Sequence, residues 1–440
     1  MSTVNAAGFP ADLVRDRARR GTAAAFPDVS SYGHQLFGST PGRPAADPID
    51  ELRLVPPVFV PRRLEKLIDL AREPLHTDVD LDARIGGFTA KLPLYVSAFG
   101  STQVASADLG VAAGVQAGRL GVPMVVGENV VPVNGYGRLV DRSDDDLAGS
   151  GGRGRADTSL LARLRAYADH VPDGVGGVVV QQSTEDADAE VWNLVYSDPS
   201  ASPLLESGRL AFELKVGQGA KPGLGGMTVL DEAAAARVAE QFAVDRVFGD
   251  DSGRVLRCAS PGTFTDEILR QQIRLMRNNF PRASVWVKLP PARDVADAAR
   301  VAWLAGADAV TVDGAEGGTG WAPSSFLDHV GLPLGECMRR IGSPRGCLLV
   351  SGRMWEGARA AKCLALGARA VGLGRAALLA VDADPERGLE RLVECLALEL
   401  RMLISALGKY AASDLDAADV WSFRSSPAPQ REPVTVGTQS

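Results

Sequence analysis

The fold this sequence predicts is a (β/α)8 barrel, the TIM barrel of the α/β class, preceded by an N-terminal extension. Three observations predict it. Eight short runs rich in Val, Leu and Ile are bounded by Gly, Pro or polar residues, the pattern of strands buried on both faces of a parallel sheet. Segments of helical periodicity separate most of them, which implies right-handed strand–helix–strand crossovers. The count of eight favours closure into a barrel over an open doubly wound sheet.

Taken in order, the strands are expected at residues 93–99, 122–129, 176–183, 211–217, 284–290, 309–316, 347–354 and 370–376. Helices are expected at 294–305, 324–341 and 356–366, among others. Long inserts at 132–158 and 219–265 follow the second and fourth strands, where barrel loops overhang the mouth. Residues 1–50 are rich in Pro, Gly, Ala and Ser, with an arginine cluster at 15–20, and read as an irregular arm. The apolar piece 55–60 and a helix at 63–72 read as a cap on one end of the barrel, and 425–440 as a polar tail. The expected organisation is an arm and capping segment at 1–84, the barrel at 85–410 and a C-terminal tail at 411–440.

Composition excludes several classes of function. With 45% hydrophobic and 23% charged residues in 440, the chain has the makings of a large core and none of the signature of disorder. Its net charge of −7 is spread without a basic stripe, which argues against nucleic acid or an anionic membrane as partner. The N-terminus lacks the layout of a signal peptide and no run reaches the roughly 18 apolar residues of a membrane span, so a cytoplasmic location is expected. Cys258, Cys337, Cys347, Cys363 and Cys395 are too widely spaced for a C-x-x-C zinc or redox pair and read as buried reduced thiols; no metal site is expected.

In a barrel the chemistry lies at the C-terminal strand ends. The seventh and eighth strands run into Ser351-Gly352-Arg353 and Leu373-Gly374-Arg375, each entering a helix. Glycine lets the backbone approach an anion while helix N-terminal N–H groups meet it, so Gly352, Arg353, Gly374 and Arg375 form a candidate phosphate site. The sixth strand ends in Asp313-Gly314-Ala315-Glu316-Gly317-Gly318-Thr319-Gly320, whose four glycines in seven positions cost conformational entropy. Backbone contact of Gly317, Gly318 and Thr319 with a cofactor accounts for them.

The fourth strand opens the longest motif, Glu213-Leu214-Lys215-Val216-Gly217-Gln218-Gly219-Ala220-Lys221-Pro222-Gly223-Leu224-Gly225-Gly226. It resembles the Lys-x-x-Gln-Gly-Ala-Lys-Pro-Gly-x-Gly-Gly motif of the FMN-binding synthase domain of glutamate synthase. Ser97-Ala98-Phe99-Gly100-Ser101, Gly127-Glu128, Gln182, Val287-Lys288-Leu289 and Gly317-Gly318-Thr319-Gly320 agree in order, so that the resemblance spans about residues 85–400. FMN barrels of type 2 isopentenyl diphosphate isomerase and the 2-hydroxy-acid oxidases are similar more weakly.

The resemblance implies FMN as cofactor, its phosphate on Gly352, Arg353, Gly374 and Arg375 and its ring near Ser97, Ala98, Gln182, Lys215 and Lys288. It further implies an oxidoreductase acting on CH–NH2 substrates, by hydride transfer from reduced FMN to an imine of 2-oxoglutarate or a related oxo acid. In that reading Glu128, Lys215, Lys221 and Lys288 are the catalytic candidates. A carboxylate handles the incoming amine's proton, a lysine pairs with an oxo-acid carboxylate, and a lysine beside the flavin stabilises its anionic reduced form.

The sequence also departs from that family. Only Cys395 falls in the stretch where three cysteines hold a 3Fe–4S cluster, so no iron–sulfur cluster is expected, and neither is a glutaminase domain with a Cys nucleophile. Leu224 and Ser260-Pro261-Gly262-Thr263 replace residues that are usually acidic or include His. Ammonia or an amine is then expected to arrive free or from a separate amidotransferase subunit, with electrons from a reductant or a reductase subunit, and the chain is expected to be a homo-oligomer. His34, His76, His170 and His329 stand away from strand ends, which disfavours a His-based hydroxy-acid oxidase; His329 is expected to pack. Two alternatives stay open, a redox-neutral FMN isomerase or lyase, and an FMN subunit of a larger synthase.

Overall fold

The computed structural model describes residues 27–31, 35, 47–58, 73–99, 108–127, 160–183, 190–217, 219, 227–240, 242–249, 252–258, 264–317 and 322–422. Eight parallel strands close into a barrel: β1 (Leu94–Phe99), β2 (Met124–Val126), β3 (Val178–Ser183), β4 (Leu210–Lys215), β5 (Ser284–Leu289), β6 (Ala309–Asp313), β7 (Cys347–Ser351) and β8 (Ala370–Leu373). Their order follows the chain and β8 pairs back onto β1. The predicted (β/α)8 fold is the one observed.

The outer faces of the strands pack under the helices. These include α1 (Asp108–Leu120), α2 (Leu160–Ala168), α3 (Glu190–Ser197), α4 (Asp266–Asn279), α5 (Val295–Ala305), α6 (Leu334–Ile341), α7 (Gly357–Ala365), α8 (Arg375–Ala383) and the long α9 (Gly388–Ala406). Strand alternation divides the residues accordingly. Val178 and Val180 of β3 belong to the shared helix–sheet core, whereas Val179 faces inward. Between α3, β4 and α4, Trp192, Phe212 and Phe280 pack ring against ring, with Phe212 and Phe280 4.8 Å apart. Among the described residues no helix is long and apolar enough to cross a membrane.

The barrel interior has two layers of opposite chemistry. At the N-terminal strand ends Tyr95, Val125, Val179, Ala211, Trp286, Ala309, Leu349 and Ala370 form one apolar cluster. An antiparallel hairpin, Ala83–Ile85 with Phe88–Ala90, plugs this end and adds Ile85, Phe88 and Ala90 to the cluster. Its turn runs through Gly86 and Gly87 at φ +55° and +100°, and Trp286 donates its indole N–H to the Gly86 carbonyl at 2.8 Å. One step further along six of the strands the inward residues turn polar, while β2 and β8 reach Gly127 and Gly372.

Three features differ from expectation. Residues 324–341 form two helices, Ser324–His329 and α6, because Gly331 takes φ +101° and Pro333 supplies no N–H to continue the first. His329 and Cys395 are exposed instead of packed. The insert after β4 builds an antiparallel sheet, Thr228–Asp231, Arg254–Cys258 and Ala243–Asp245, with its own small core of Val229 and Leu256 against which Val29 of the arm packs. The expected helix at 63–72 and the insert 132–158 lie outside the described residues.

Two further parts of the extension bear on the barrel. Arg53–Leu54 pairs antiparallel with Val420–Trp421, so the segments flanking the barrel are joined to each other. Just before that pair, a single helical turn, Pro48–Glu51, capped by the Asp47 carboxylate on the Ile49 N–H, lies against α6 and α7.

Candidate functional site

Strand alternation brings Gln181, Glu213, Lys215, Lys288, Thr311, Asp313 and Ser351 to the inward face above the apolar layer, all buried. Lys288 is in register with Lys215 on β4 and with Thr311 on β6. Its Nζ lies 3.0 Å from Asp313 Oδ2, and the second Asp313 oxygen accepts from the Ser351 hydroxyl. Glu213 accepts from the Gln181 amide at 2.5 Å and from the Thr311 hydroxyl at 2.8 Å, one bond to each carboxylate oxygen. Burial pushes the Glu213 carboxyl above its usual range, and the charge of Lys288 and these two donors offset part of that shift. The layer is thus a hydrogen-bonded set of charges that holds Lys288 in place at the base of the mouth.

Beside it, Tyr95 and Ser97 of β1 carry buried hydroxyls that make no hydrogen bond among the described residues. Burial raises the Tyr95 hydroxyl pKa far above its usual value. A Cβ on Gly372 of β8 would collide with the Ser97 hydroxyl, so this glycine is what leaves room for it.

The other half of the mouth is cationic. After β7 the chain turns through Gly352 at φ +130° and Arg353 at φ +53°, the single non-glycine residue in the left-handed region among the described residues. After β8, Gly374 is the N-cap of α8 and no side chain caps that helix. Arg375 donates to the Glu316 carbonyl at 2.7 Å; burial lowers its pKa, and the nearby charge of Arg353 lowers it further. Two guanidinium groups therefore stand close enough to repel, next to a helix N-terminus with open N–H groups.

A buried charge cluster braces this turn. Arg359 of α7 donates from Nε to the Gly352 carbonyl at 3.0 Å, from Nη1 to Asp50 at 2.8 Å and from Nη2 to Glu316 at 2.7 Å, and it pairs with Asp47. Burial, and then the neighbouring Asp47 charge, push the Glu316 carboxyl up to about 8. Burial also acts upward on Asp47, but its hydrogen bond with Glu316 and the charge of Arg359 outweigh that and bring it below its usual value.

Of the residues singled out from sequence, Ser97, Lys215 and Lys288 share the polar layer, Ala98 packs beside the interior cluster, and Gly317, Gly352, Arg353, Gly374 and Arg375 share the cationic half. Gln182 lies on the alternate face from Gln181, its amide donating to the Gln181 carbonyl at 2.8 Å, and it is Gln181 that enters the interior network. Glu128, Lys221, Gly318 and Thr319 lie outside the described residues. Sequence reasoning passed over Glu213, Thr311, Asp313 and Ser351, although period two marks them: Glu213 shares a strand face with Lys215, and Thr311 with Asp313. Nothing local in the sequence announces Asp47, Asp50 or Arg359, whose partners lie far away along the chain.

Residues 203–387 match the family model described as the conserved region in glutamate synthase. This chain contains a glutamate synthase-like region. It runs from just before β4 to just after α8, and so supplies Glu213, Lys215, Lys288, Asp313, Ser351, Arg353, Arg359 and Arg375. Among curated proteins the chain is 38% identical over 185 residues to a glutamate synthase large subunit-like protein of Rhizobium meliloti, covering 40% of each chain. It is 32% identical over 180 residues to the archaeal glutamate synthase (NADPH) of Methanocaldococcus jannaschii, covering 39% of this chain and 34% of that one. The chain thus spans less than half the length of these relatives. Among solved structures, an active chimera of (S)-mandelate dehydrogenase superposes with TM-score 0.52 at 18% identity over 85% of this chain and 88% of that one. A flavocytochrome b2 variant with sulfite bound gives 0.54 at 14% identity over 96% and 89%. These two likenesses concern the barrel fold alone.

Proposed function

We propose that this chain is an FMN-dependent oxidoreductase of the glutamate synthase type, which reductively aminates 2-oxoglutarate or a related 2-oxo acid. The observation that carries the reading is the coincidence of two things. The glutamate synthase-like region contributes both the lysines of the polar layer and the paired Gly-Arg turns of the cationic half.

The residues fit FMN. Gly352 at φ +130°, the uncapped N-terminus of α8 and the mutually repelling Arg353 and Arg375 suit a phosphate dianion, which would remove the repulsion. The Ser97 hydroxyl, buried and without a hydrogen bond among the described residues, suits a polar edge of the ring. Gly352, Arg353, Gly374 and Arg375 would hold the phosphate, with Gly317 beside them and Ser97, Ala98, Lys215 and Lys288 toward the ring. When bound, the flavin supplies hydride transfer.

The chain's own residues supply the rest. Lys288, fixed by Asp313, places a positive charge at the base of the mouth, where it favours developing negative charge. Lys215, in register beside it, is placed to pair with a substrate carboxylate. Glu128 and Lys221 keep the parts the resemblance implies, the amine's proton and a second carboxylate contact. The charged upper layer, with its two lysines, suits a dicarboxylate better than an apolar acid. Free ammonia, or ammonia from a separate amidotransferase subunit, is the nitrogen source in this reading.

The test is a visible spectrum of the purified protein, then anaerobic reduction by NADPH, NADH or dithionite, then addition of 2-oxoglutarate with ammonium. Flavin bands near roughly 370 and 450 nm that bleach and return on addition of oxo acid and ammonium support the proposal. Bands that bleach and stay bleached overturn the amination, and a protein that takes up no FMN overturns the cofactor.

A further inference from the structure

The N-terminal turn Asp47–Glu51 belongs to no barrel element, yet its two aspartates reach residues some 300 positions away that shape the cationic half of the mouth. Asp50 bridges two arginines with one carboxylate. Its Oδ2 accepts from Arg353 Nη1 at 2.7 Å and its Oδ1 from Arg359 Nη1 at 2.8 Å. Among the described residues no other hydrogen bond engages the Arg353 guanidinium, whose Cζ lies over the Trp355 ring, 5.2 Å from its centre. Arg353 is therefore held by one nitrogen and that ring, with Nε and Nη2 left as donors.

Arg353 needs such holding. Its backbone sits at φ +53°, a conformation that side-chain-bearing residues seldom adopt. The preceding Gly352 carbonyl is fixed by Arg359, which Asp47, Asp50 and Glu316 hold in turn. Asp47 also accepts the Gly335 N–H at 3.0 Å, which anchors the turn to the start of α6. The turn therefore braces both the backbone and the side chain of the Gly352-Arg353 step.

We propose that the Asp47–Glu51 turn is a working wall of the phosphate site, and that Asp50 is a positioning residue that aims Arg353 at the phosphate of the bound cofactor. This rests on the FMN reading above and adds to it a recognition element contributed from outside the glutamate synthase-like region. By linkage, a phosphate bound at Arg353 and a docked turn stabilise each other. The cofactor without its phosphate gains nothing from Asp50.

The comparison of FMN with riboflavin isolates this role. The flavin-stripped full-length chain is titrated with each by fluorescence quenching, for the wild type, Asp50→Asn, Asp50→Ala, Arg353→Ala and the Asp50→Ala, Arg353→Ala double variant. Loss of Asp50 is expected to weaken FMN about tenfold, the scale of one misplaced charge-assisted hydrogen bond, and to leave riboflavin unchanged. In the Arg353→Ala background, loss of Asp50 is expected to cost FMN clearly less than it does in the wild type. Riboflavin affinity serves as the control for folding, since a merely structural role would move both ligands together. Equal effects on both, no effect on FMN, or additive effects of the two substitutions would overturn the assignment of Asp50 while leaving the FMN reading intact. A wild type that binds riboflavin as tightly as FMN would overturn the phosphate site itself. Hydrogen exchange at residues 47–51 gives an independent readout: FMN or inorganic phosphate should slow it and riboflavin should not, and equal slowing by all three counts against the coupling.

Discussion

Lys288 and Asp313, on neighbouring strands β5 and β6, form an ion pair 3.0 Å apart in which each side chain is only 6% exposed. Taking both charges out of water offsets much of their attraction, so the pair adds little net stability, but leaving one of them alone is costly. Asp313→Ala is expected to destabilise the fold by about 3–5 kcal/mol in urea denaturation. The Lys288→Met, Asp313→Leu double variant, which removes both members of the pair, is expected to recover most of that loss. A double variant as unstable as Asp313→Ala would show that packing, not the buried charge, accounts for it.

The same double variant separates chemistry from folding. The Gly-Arg turns are untouched in it, so FMN uptake is expected to persist with a shifted flavin spectrum, while turnover with 2-oxoglutarate and ammonium falls by at least about 100-fold, as for loss of a preorganised charge. Activity near the wild-type rate in this variant would remove Lys288 from the mechanism.

The hairpin plug offers a prediction at the opposite end of the barrel. A Cβ at Gly86 would lie 2.5 Å from the Trp286 indole, and the residue sits at φ +55°. Trp286 is fully buried and hydrogen-bonded to the Gly86 carbonyl, so it has nowhere to retreat. Gly86→Ala combines left-handed strain of about 1–2 kcal/mol with overpacking of about 1–3 kcal/mol. An overall loss of about 2–5 kcal/mol in denaturant titration is expected. FMN affinity should hold, because the plug lies below the polar layer. A melting temperature within a degree of the wild type would mean that the hairpin does not seal the barrel as described.

The barrel was legible because a parallel strand buried on both faces leaves an apolar run bounded by turn residues. All eight runs are strands; two end where predicted, at Phe99 and Ser183, and the other six predictions run one to three residues past the observed C-terminal end, as at 309–316 against Ala309–Asp313. Among the described residues these overruns include the glycine steps after β6, β7 and β8, at Gly314, Gly352 and Gly374, which lie beyond the strand ends. Lys215 and Lys288 stood out as charges in apolar runs, and Glu213 and Asp313, the carboxylates around Lys288, were readable from period two. The Asp47–Asp50–Arg359–Glu316 cluster was not, since it joins three segments that only closure of the barrel brings together.

That cluster makes stability depend on pH in a direction that can be worked out. Unfolded, the Glu316 carboxyl loses its proton near 4.5; folded, burial and the adjacent Asp47 charge hold it to about 8. Between these values the folded state binds more protons than the unfolded one, so this group's contribution to stability declines as pH rises and levels off above about 8. The lowered pKa of Asp47 acts in the opposite sense at acid pH, as its proton returns, which leaves the range from pH 5 to 8 to Glu316. Glu316→Gln keeps a carbonyl oxygen for the Leu334 N–H and does not titrate. Melting temperatures of the two proteins measured from pH 5 to 9 are expected to shift in favour of the variant up to about pH 8 and to run parallel beyond it. A constant difference across that range would mean that Glu316 ionises normally, with Arg359 compensating both carboxylates at once.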